Sequence, residues 1–292
     1  MRPTSVRRRL RARIERDEIA YLPGVHDALS AKLAAEYADA DGLQHSGYGT
    51  AASLLGYPDL NFTSLKETVD VVRNEVRAAG ETPVVADLDT GYGGVVNVPH
   101  AITEIERTGA AGAFIEDQAT PKKCGLLEGK NLLAAEEMAG KVRAAIDGRT
   151  DDEFVVIART DAYAEHGVDE VVRRGNAYAD AGADVFLLGE VAPLEDLSTI
   201  AARVDIPLYA LAIETTNDAF ETRHPIEAYE DAGAAAVSDV SGLLQVSVTA
   251  MQRYLDSMMA TGDHEMDAVP LDELSTFLGV EEYAAFEAEH SP

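Results

Sequence analysis

Two pairs of acidic residues and a single cysteine are the residues of this chain best suited to chemistry. Asp87 and Asp89 are separated by one residue, Glu116 and Asp117 are adjacent, and Cys124 follows two lysines. Carboxylate oxygens are the ligands that Mg²⁺ and Mn²⁺ prefer in proteins. A cysteine beside ammonium groups is typical of an acid or base whose pKa is lowered by those charges. The pattern predicts metal-assisted chemistry on a small carboxylate substrate.

Each of these features also has a structural explanation. Asp89 precedes a glycine-rich stretch and can begin a turn, Asp117 can cap the next segment, and a lone cysteine is often a small buried hydrophobic residue. Pro121 and Gly125 on either side of Cys124 favour an exposed loop instead. The position of Asp87 and Asp89 after a buried apolar run favours a ligand site.

Helical segments alternate with short apolar strands along the chain. The predicted strands are Ala20–Val25, Gly42–His45, Pro83–Asp87, Ala113–Glu116, Phe154–Arg159, Val185–Leu188, Leu208–Leu211 and Ala236–Ser238. Predicted helices include Ser64–Ala79, His100–Thr108, Ala134–Ile146, Val168–Ala181 and Pro225–Ala232. Eight strands alternating with helices over about 250 residues predict the α/β class and a (β/α)8 TIM barrel. A doubly wound open sheet is the alternative, but no Gly-x-Gly-x-x-Gly follows a strand near the N-terminus.

Polar residues fall at the carboxyl ends of consecutive predicted strands, where barrel active sites are built. In chain order they are Ser46 and Gly47, Asp87 and Asp89, Glu116, Arg159, Glu190 and Glu214. Arg159 is expected either to clamp a substrate carboxylate in bidentate fashion or to be neutralised by Asp161 or Glu190. His45 is either a base or a satisfied core histidine.

The composition limits the classes of partner. The formal net charge is −28, from 52 acidic and 24 basic residues, so the surface repels nucleic acid and anionic membranes. No apolar run approaches the length of a membrane span, and the basic segment Met1–Arg13 lacks the apolar core of a secretory signal. One cysteine cannot form an internal disulfide, which fits a cytoplasmic protein. The acidic surface favours a salt-adapted, halophilic enzyme over an ordinary acidic bacterial one.

The predicted single domain, 1–292, ends in a helical extension from about residue 242 onward. It comprises a long helix, Gly242–Thr261, and one or two helices within Leu271–Glu289. Because these lie outside the barrel count, we expect them to pack on a partner subunit or to cap the barrel.

Several motifs together resemble the isocitrate lyase/phosphoenolpyruvate mutase superfamily, from about Leu22 to Met259. They are the segments 23–31, 46–47, 56–59, 86–93, 115–118, 122–125 and 158–162. The resemblance implies a (β/α)8 barrel, bound Mg²⁺, and C–C or P–C bond chemistry on 2-hydroxy or 2-oxo acids. It also implies a last helix exchanged between the subunits of a dimer, and assembly into a homotetramer as a dimer of dimers.

The Lys-Lys-Cys-Gly sequence at 122–125 is similar to the lyase branch. The resemblance implies that Cys124 is the acid/base that protonates the carbon released by cleavage, with Lys122, Arg159 and Glu190 as further catalytic residues. It places Mg²⁺ on Asp87, Asp59, Asp89 and Glu116. It places the substrate against Ser46, Gly47, Tyr48, Gly125, Arg159 and Glu214. The base that takes the substrate's hydroxyl proton is Glu190 or a metal-bound water.

Three positions depart from the lyase pattern. Leu126 replaces a histidine that follows the Cys-Gly, Leu211 or Ala212 stands where an asparagine is expected, and Gln245 lies near the position of an arginine. These changes predict a substrate that is shorter or more apolar than isocitrate. Cleavage of isocitrate to glyoxylate and succinate in the glyoxylate cycle is nevertheless the first hypothesis. The alternatives are a methylisocitrate or dimethylmalate lyase, an oxaloacetate hydrolase or decarboxylase, and a non-catalytic carboxylate-binding barrel.

Overall fold

The sheet of this protein consists of parallel strands in a single layer. The computed structural model describes residues 3–16, 18–38, 40–215, 223–264 and 267–291. Within these ranges the strands are β1 (Ala20–Tyr21), β2 (Gly24–Val25), β3 (Leu43–His45), β4 (Val84–Asp87), β5 (Gly112–Glu116), β6 (Val155–Thr160), β7 (Val185–Leu188), β8 (Leu208–Leu211) and β9 (Ala236–Ser238). Their order is β1-β9-β8-β7-β6-β5-β4-β3-β2, and every pairing is parallel.

The first predicted strand closes the sheet into a ring. It is divided into β1 and β2 around Pro23, which has no N–H to donate to a ladder. Leu22 N–H still donates to the Val237 carbonyl at 2.9 Å, and Gln44 N–H donates to the Pro23 carbonyl at 3.1 Å. Residues 20–25 therefore join β9 on one side to β3 on the other. The predicted (β/α)8 barrel is confirmed, with the first strand in two short pieces.

Helices cover the outside of the barrel. They are α1 (Pro3–Ile14), α2 (Ala28–Tyr37), α3 (Gly47–Thr50), α4 (Leu65–Ala79), α5 (Val98–Glu106), α6 (Ala135–Gly148), α7 (Tyr163–Asp180), α8 (Leu194–Ala201) and α9 (Ile226–Asp231), with a π-helical turn at Ala51–Leu55. Ser64 caps α4 in a capping box with Glu67. The helix predicted from Val168 begins earlier, because α7 includes a first turn before a kink at Gly167, whose φ is 72°.

The N-terminal segment forms a helix that the sequence analysis did not predict. In α1, Leu10 and Ile14 are buried in the same apolar cluster as Phe114 and Tyr209 of the barrel interior. Arg7 is buried as well and pairs with Glu106 at 3.1 Å. These contacts place α1 across the amino ends of the strands, so the opposite, carboxyl-end mouth is the one that remains for a site.

The chain divides into two compact units, Met1–Gln245 and Val246–Pro292. Helix α10 (Gly242–Thr261) starts in the first unit and continues into the second, which also contains α11 (Leu271–Phe277) and α12 (Val280–His290). The extension predicted at 271–289 is thus two helices, separated at Gly279 with φ of 90°. In the part of the chain that is described, no helix is both long and apolar enough to cross a membrane.

Candidate active site

A cavity of about 480 Å³ opens at the carboxyl ends of the strands. Eight predicted site residues line it: Ser46, Tyr48, Asp59, Asp87, Cys124, Gly125, Arg159 and Glu214. Five others do not: Gly47, Asp89, Glu116, Lys122 and Glu190. The carboxyl ends of β3, β4, β6 and β8 and the cysteine loop therefore meet around one space, as their sequence positions predict.

Asp87 is held by backbone donors from two loops. The N–H of Gly47 donates to Asp87 Oδ2 at 3.2 Å, and the N–H of Asp89 donates to Oδ1 at 2.9 Å. A Cβ atom at position 47 would lie 2.7 Å from Asp87 Oδ2, so only glycine allows this approach. Ser46 caps α3, its Oγ accepting from the Gly49 N–H at 3.0 Å. Gly47 and Ser46 thus fix the loop beside the carboxylate.

Lys122 joins two of the predicted metal ligands. Its ammonium lies 2.6 Å from Asp59 Oδ1 and 2.9 Å from Asp89 Oδ1, and the side chain is buried. Burial raises the pKa of Asp89 to about 6 against the opposing effect of Lys122. Burial alone would lower the pKa of Lys122, but the surrounding carboxylates, Asp89 and Glu116 foremost, raise it well above its ordinary value. The lysine therefore stays an ammonium among partly neutralised carboxyls.

Arg159 is neutralised by Asp161 and Glu116, and Glu190 takes no part. Arg159 Nη2 lies 3.0 Å from Asp161 Oδ1, and Nη1 lies 3.0 Å from Glu116 Oε2. Burial raises the pKa of Glu116 well above its ordinary value despite the guanidinium. Because Arg159 also lines the cavity, its structural pairing and the predicted clamp on a substrate carboxylate are compatible.

Cys124 lies half-buried at the cavity wall, on a loop anchored by its backbone. Its N–H donates to the Asp59 carbonyl at 3.1 Å. Burial, with Asp59, raises the pKa of the thiol, and Lys122 and Arg159 lower it by less. The expected net lowering of this pKa is wrong, because burial outweighs the lowering effect of Lys122, and Lys123 Nζ donates to the Gly129 carbonyl at 3.0 Å. A neutral thiol is suited to giving a proton to a carbanion.

Glu190 is buried in a different set of contacts. Its Oε1 lies 2.7 Å from Lys130 Nζ, and its Oε2 accepts from the Tyr163 N–H at 2.6 Å, at the start of α7. Burial raises the pKa of Glu190 to about 7. Lys130 was not among the predicted site residues, although the Gly-Lys sequence at 129–130 is part of the same loop.

Asp117 and Gln118, which follow Glu116, have supporting roles that sequence reasoning missed. Asp117 accepts from Thr160 Oγ1 at 2.6 Å, from Arg174 at 2.9 Å and from the Tyr178 hydroxyl at 2.8 Å. Gln118 Nε2 donates to the Lys123 carbonyl at 2.8 Å. The alternation of side chains along a strand is the signal that separates Glu116, near Arg159, from Asp117, which joins β6 to α7.

His45 is a core histidine in this structure. Its Nδ1 lies 2.9 Å from Glu75 Oε2 on α4, and both side chains are fully buried. Glu75 raises the pKa of His45 against the lowering effect of burial, which is the larger single contribution. The geometry therefore supports a core histidine rather than a base.

The remaining wall of the cavity is mostly apolar. It is formed by Leu126, Leu211, Ile213 and Val240, with Gln245 as a polar neighbour. Leu126 packs against the apolar cluster of the barrel interior. Leu211 lines the cavity, whereas Ala212 belongs to the cluster outside the barrel. Thus Leu211 is the residue that replaces the expected asparagine.

The carboxylates fit a hard cation that is held mainly through waters. No three His, Cys, Asp or Glu side chains in the described ranges are arranged to hold a metal ion by themselves. Buried oxygens without a partner do remain there: Oδ2 of Asp89 and Oε1 of Glu116, whereas Glu116 Oε2 is paired with Arg159. Mg²⁺ takes oxygen ligands, keeps several waters and uses only one or two carboxylates. The donors therefore suit Mg²⁺ with few direct protein ligands.

The sequence profile of the phosphoenolpyruvate phosphomutase family matches residues 10–259. The chain belongs to this family. It is 40% identical to a 2,3-dimethylmalate lyase of Eubacterium barkeri over 70% of this chain and 69% of that protein. It is 36% identical to a probable 2-methylisocitrate lyase of Corynebacterium glutamicum over 89% and 83% of the two chains. An isocitrate lyase of Haloferax volcanii is 42% identical, but over 61% of this chain and 52% of its own length.

Solved structures show the same fold. An oxaloacetate acetylhydrolase in complex with 3,3-difluorooxalacetate superposes with a TM-score of 0.92 at 30% identity, covering 99% of this chain and 98% of that one. A phosphonopyruvate hydrolase complex with oxalate and Mg²⁺ gives a TM-score of 0.86 at 28% identity, with both chains covered in full. The prediction of an enzyme of the isocitrate lyase/phosphoenolpyruvate mutase superfamily, with carbon–carbon lyases among its relatives, is confirmed.

Proposed function

We propose that this protein is a Mg²⁺-dependent lyase that cleaves a C–C bond of a small 2-hydroxy acid by retro-aldol chemistry. The observation that carries the proposal is the Cys124 thiol on the wall of a cavity that also presents Arg159 and Asp87. An acid, a carboxylate-binding cation and a metal-binding carboxylate are three of the groups that such a cleavage needs, together with a base.

Each group has one task in this scheme. Arg159 binds a substrate carboxylate and opposes the negative charge that develops as the bond breaks. The substrate's hydroxyl gives its proton to a general base, for which the carboxylates on the cavity wall, Asp59 and Glu214, are the candidates. The C–C bond breaks to leave a carbonyl, and its electrons pass to the departing carbon as an enolate. Cys124 gives its proton to that carbon. The contacts of Glu190 with Lys130 and α7 support a role in holding these elements more than a role as the hydroxyl's base.

A bound Mg²⁺ would polarise the substrate's oxygen and offset charge in the transition state. Asp59 and Asp87 line the cavity, and Asp89 and Glu116 are linked to it through Lys122 and Arg159. The oxalate and Mg²⁺ in the phosphonopyruvate hydrolase complex support the same assignment for this chain.

For the substrate, we propose a 2-hydroxy dicarboxylic acid with alkyl substituents, of the dimethylmalate kind. Leu126, Leu211 and Ile213 offer apolar surface where a third carboxylate of isocitrate would need a polar partner. The match to an isocitrate lyase over only 52% of that protein supports the same preference. Hydrolysis of oxaloacetate is the second candidate, favoured by the fold similarity that extends over 98% of the acetylhydrolase.

A substrate panel tests these proposals. The protein is incubated with Mg²⁺ and each of dimethylmalate, methylisocitrate, isocitrate and oxaloacetate, and 2-oxo acids and oxalate are measured as products. We expect a 2-oxo acid from dimethylmalate at a higher kcat/KM than from methylisocitrate or isocitrate, which both carry a third carboxylate. Preferential turnover of isocitrate would contradict the substrate assignment. Binding without turnover of any of the four would favour the non-catalytic barrel.

We also propose that the protein is a homo-oligomer. The second unit, taken by itself, exposes large apolar side chains: Met251 and Met259 on α10, and Tyr283 and Phe286 on α12. Surfaces of this kind mark interaction sites in proteins. Light scattering coupled to size exclusion is expected to give a mass of two or four chains, and a monomer at micromolar concentration would contradict the proposal.

A further inference from the structure

Lys130 is a buried cation that touches two separate parts of the barrel mouth. Its Nζ donates to the Gly125 carbonyl at 2.7 Å and to Glu190 Oε1 at 2.7 Å. The side chains of Lys130 and Glu190 are 1% and 0% exposed, so the pair is shielded from competition by water. A buried pair of this kind is strongly coupled to its surroundings, and removal of one partner is costly.

The far end of this contact is firmly placed. Glu190 follows β7, and its Oε2 accepts from the Tyr163 N–H at 2.6 Å, at the first residue of α7. A carboxylate at a helix N-terminus is stabilised by the free N–H groups there. Lys130 therefore connects the loop to the end of a strand and the start of an 18-residue helix.

The near end of the contact adjoins the thiol. Gly125 directly follows Cys124, and a Cβ atom at position 125 would lie 2.7 Å from the Gly189 carbonyl. The loop is thus in close contact with the strand end that carries Glu190. If the Lys130 contact to the Gly125 carbonyl were lost, the loop would keep the bonds from the Cys124 N–H to Asp59 and between Gln118 and Lys123, but it would lose its link to Glu190.

We propose that Lys130 is a positioning residue for Cys124, acting through the Gly125 carbonyl to hold the cysteine loop against the barrel mouth. The proposal rests on the proposed function to the extent that Cys124 is the proton donor there. The structural link itself does not depend on the substrate, so it can be measured in the absence of turnover.

The chain's single cysteine makes the link measurable. The rate of Cys124 alkylation by iodoacetamide at pH 8 reports how often the loop opens. Three variants are compared with the unaltered protein: Lys130→Met, Lys130→Met/Glu190→Gln and Lys123→Met. The double variant removes the buried carboxylate together with its cation, so that no unpaired buried charge remains. Lys123→Met is the matched control, because it removes a charge from the same loop, where Lys123 Nζ donates to the Glu128 and Gly129 carbonyls and makes no contact with Glu190.

We expect both Lys130 variants to be alkylated at least about tenfold faster, since a charge-assisted hydrogen bond is lost, and the control to change by less than about twofold. Loss of a nearby cation without loop release would disfavour the thiolate and slow alkylation, so the sign separates the two effects. On any substrate that the protein turns over, kcat should fall more than KM changes. A double variant that melts like the unaltered protein and is alkylated at its rate would overturn the proposal, whether or not the lyase assignment stands.

Discussion

Replacing Gly125 with alanine should disable the enzyme while leaving its fold intact. The added Cβ would lie 2.7 Å from the Gly189 carbonyl oxygen and 3.1 Å from both Arg159 Nη2 and Asp161 Oδ1. The first distance is shorter than real Cβ contacts, and its partner is backbone, which cannot swing aside. The loop must therefore move by roughly half an ångström or more, since carbon–oxygen contacts need about 3.4 Å.

The size of the effect follows from which atoms move. Gly125 directly follows Cys124, and its own carbonyl is the one to which Lys130 donates. A misplacement of about 1 Å can cost a factor of about 10² in rate, so we expect kcat to fall about 10- to 100-fold. Overpacking of this kind costs about 1–3 kcal/mol in the free energy of unfolding, well below what would unfold a domain of this size.

The assay compares kcat, KM and the melting temperature of Gly125→Ala with those of Gly94→Ala. A Cβ added at Gly94 would meet no atom within 4 Å, and the φ of Gly94 is not positive, so its substitution tests the general effect of glycine loss. Normal kcat in Gly125→Ala would show that the loop tolerates displacement and that Cys124 need not be placed closely. Equal losses in both variants would also refute the reasoning.

Four further outcomes are expected. Cys124→Ser should lower kcat at least about 10²-fold and leave Mg²⁺ affinity, measured by calorimetry, unchanged; equal activity would remove Cys124 from the mechanism. Leu211→Asn should shift the kcat/KM ratio toward isocitrate by about tenfold or more, and an unchanged ratio would contradict the assigned apolar wall. Burial raises the pKa of Glu190 to about 7, so its stabilising contribution is fully present below the unfolded value and is lost as pH rises through 7. From pH 5 to pH 8, the melting temperature of Glu190→Gln should therefore rise relative to that of the unaltered protein. A difference between the two melting temperatures that does not change with pH would contradict this. If the acidic surface reflects salt adaptation, activity should rise with molar KCl, and inactivation by salt would exclude it.

The barrel could be predicted because its strands are buried on both faces. Such strands are short apolar runs, and runs such as Val185–Leu188 and Leu208–Leu211 were placed at their observed bounds. Helix α1 was missed because its arginines dominate its composition. Val6, Leu10 and Ile14, spaced by four, carry the signal of one apolar face, and all three are buried.

The site could be predicted residue by residue, but not pair by pair. Asp87 and Arg159 end predicted strands and Cys124 follows another, so all three were expected at one end of the barrel, and all three line the cavity there. Which carboxylate neutralises which cation depends on distances that spacing does not determine: Arg159 pairs with Asp161 and Glu116, and Glu190 with Lys130. The pKa of Cys124 was likewise predicted in the wrong direction, because burial of the thiol, which residue spacing does not show, outweighs the lowering effect of Lys122.

The charges at this mouth explain why an anionic substrate needs help to bind. Seven carboxyl groups surround the cavity and its loop: Asp59, Asp87, Asp89, Glu116, Asp161, Glu190 and Glu214. Three cations oppose them: Lys122, Lys130 and Arg159. With all groups ionised the mouth is negative, on a chain whose formal net charge is already −28. The pKa values of Asp89 and Glu116 are raised partly by this excess of negative charge, because burial and neighbouring carboxylates disfavour their charged forms. A divalent cation relieves that excess and attracts the substrate's carboxylate at the same time, so metal and substrate binding at this site should strengthen each other.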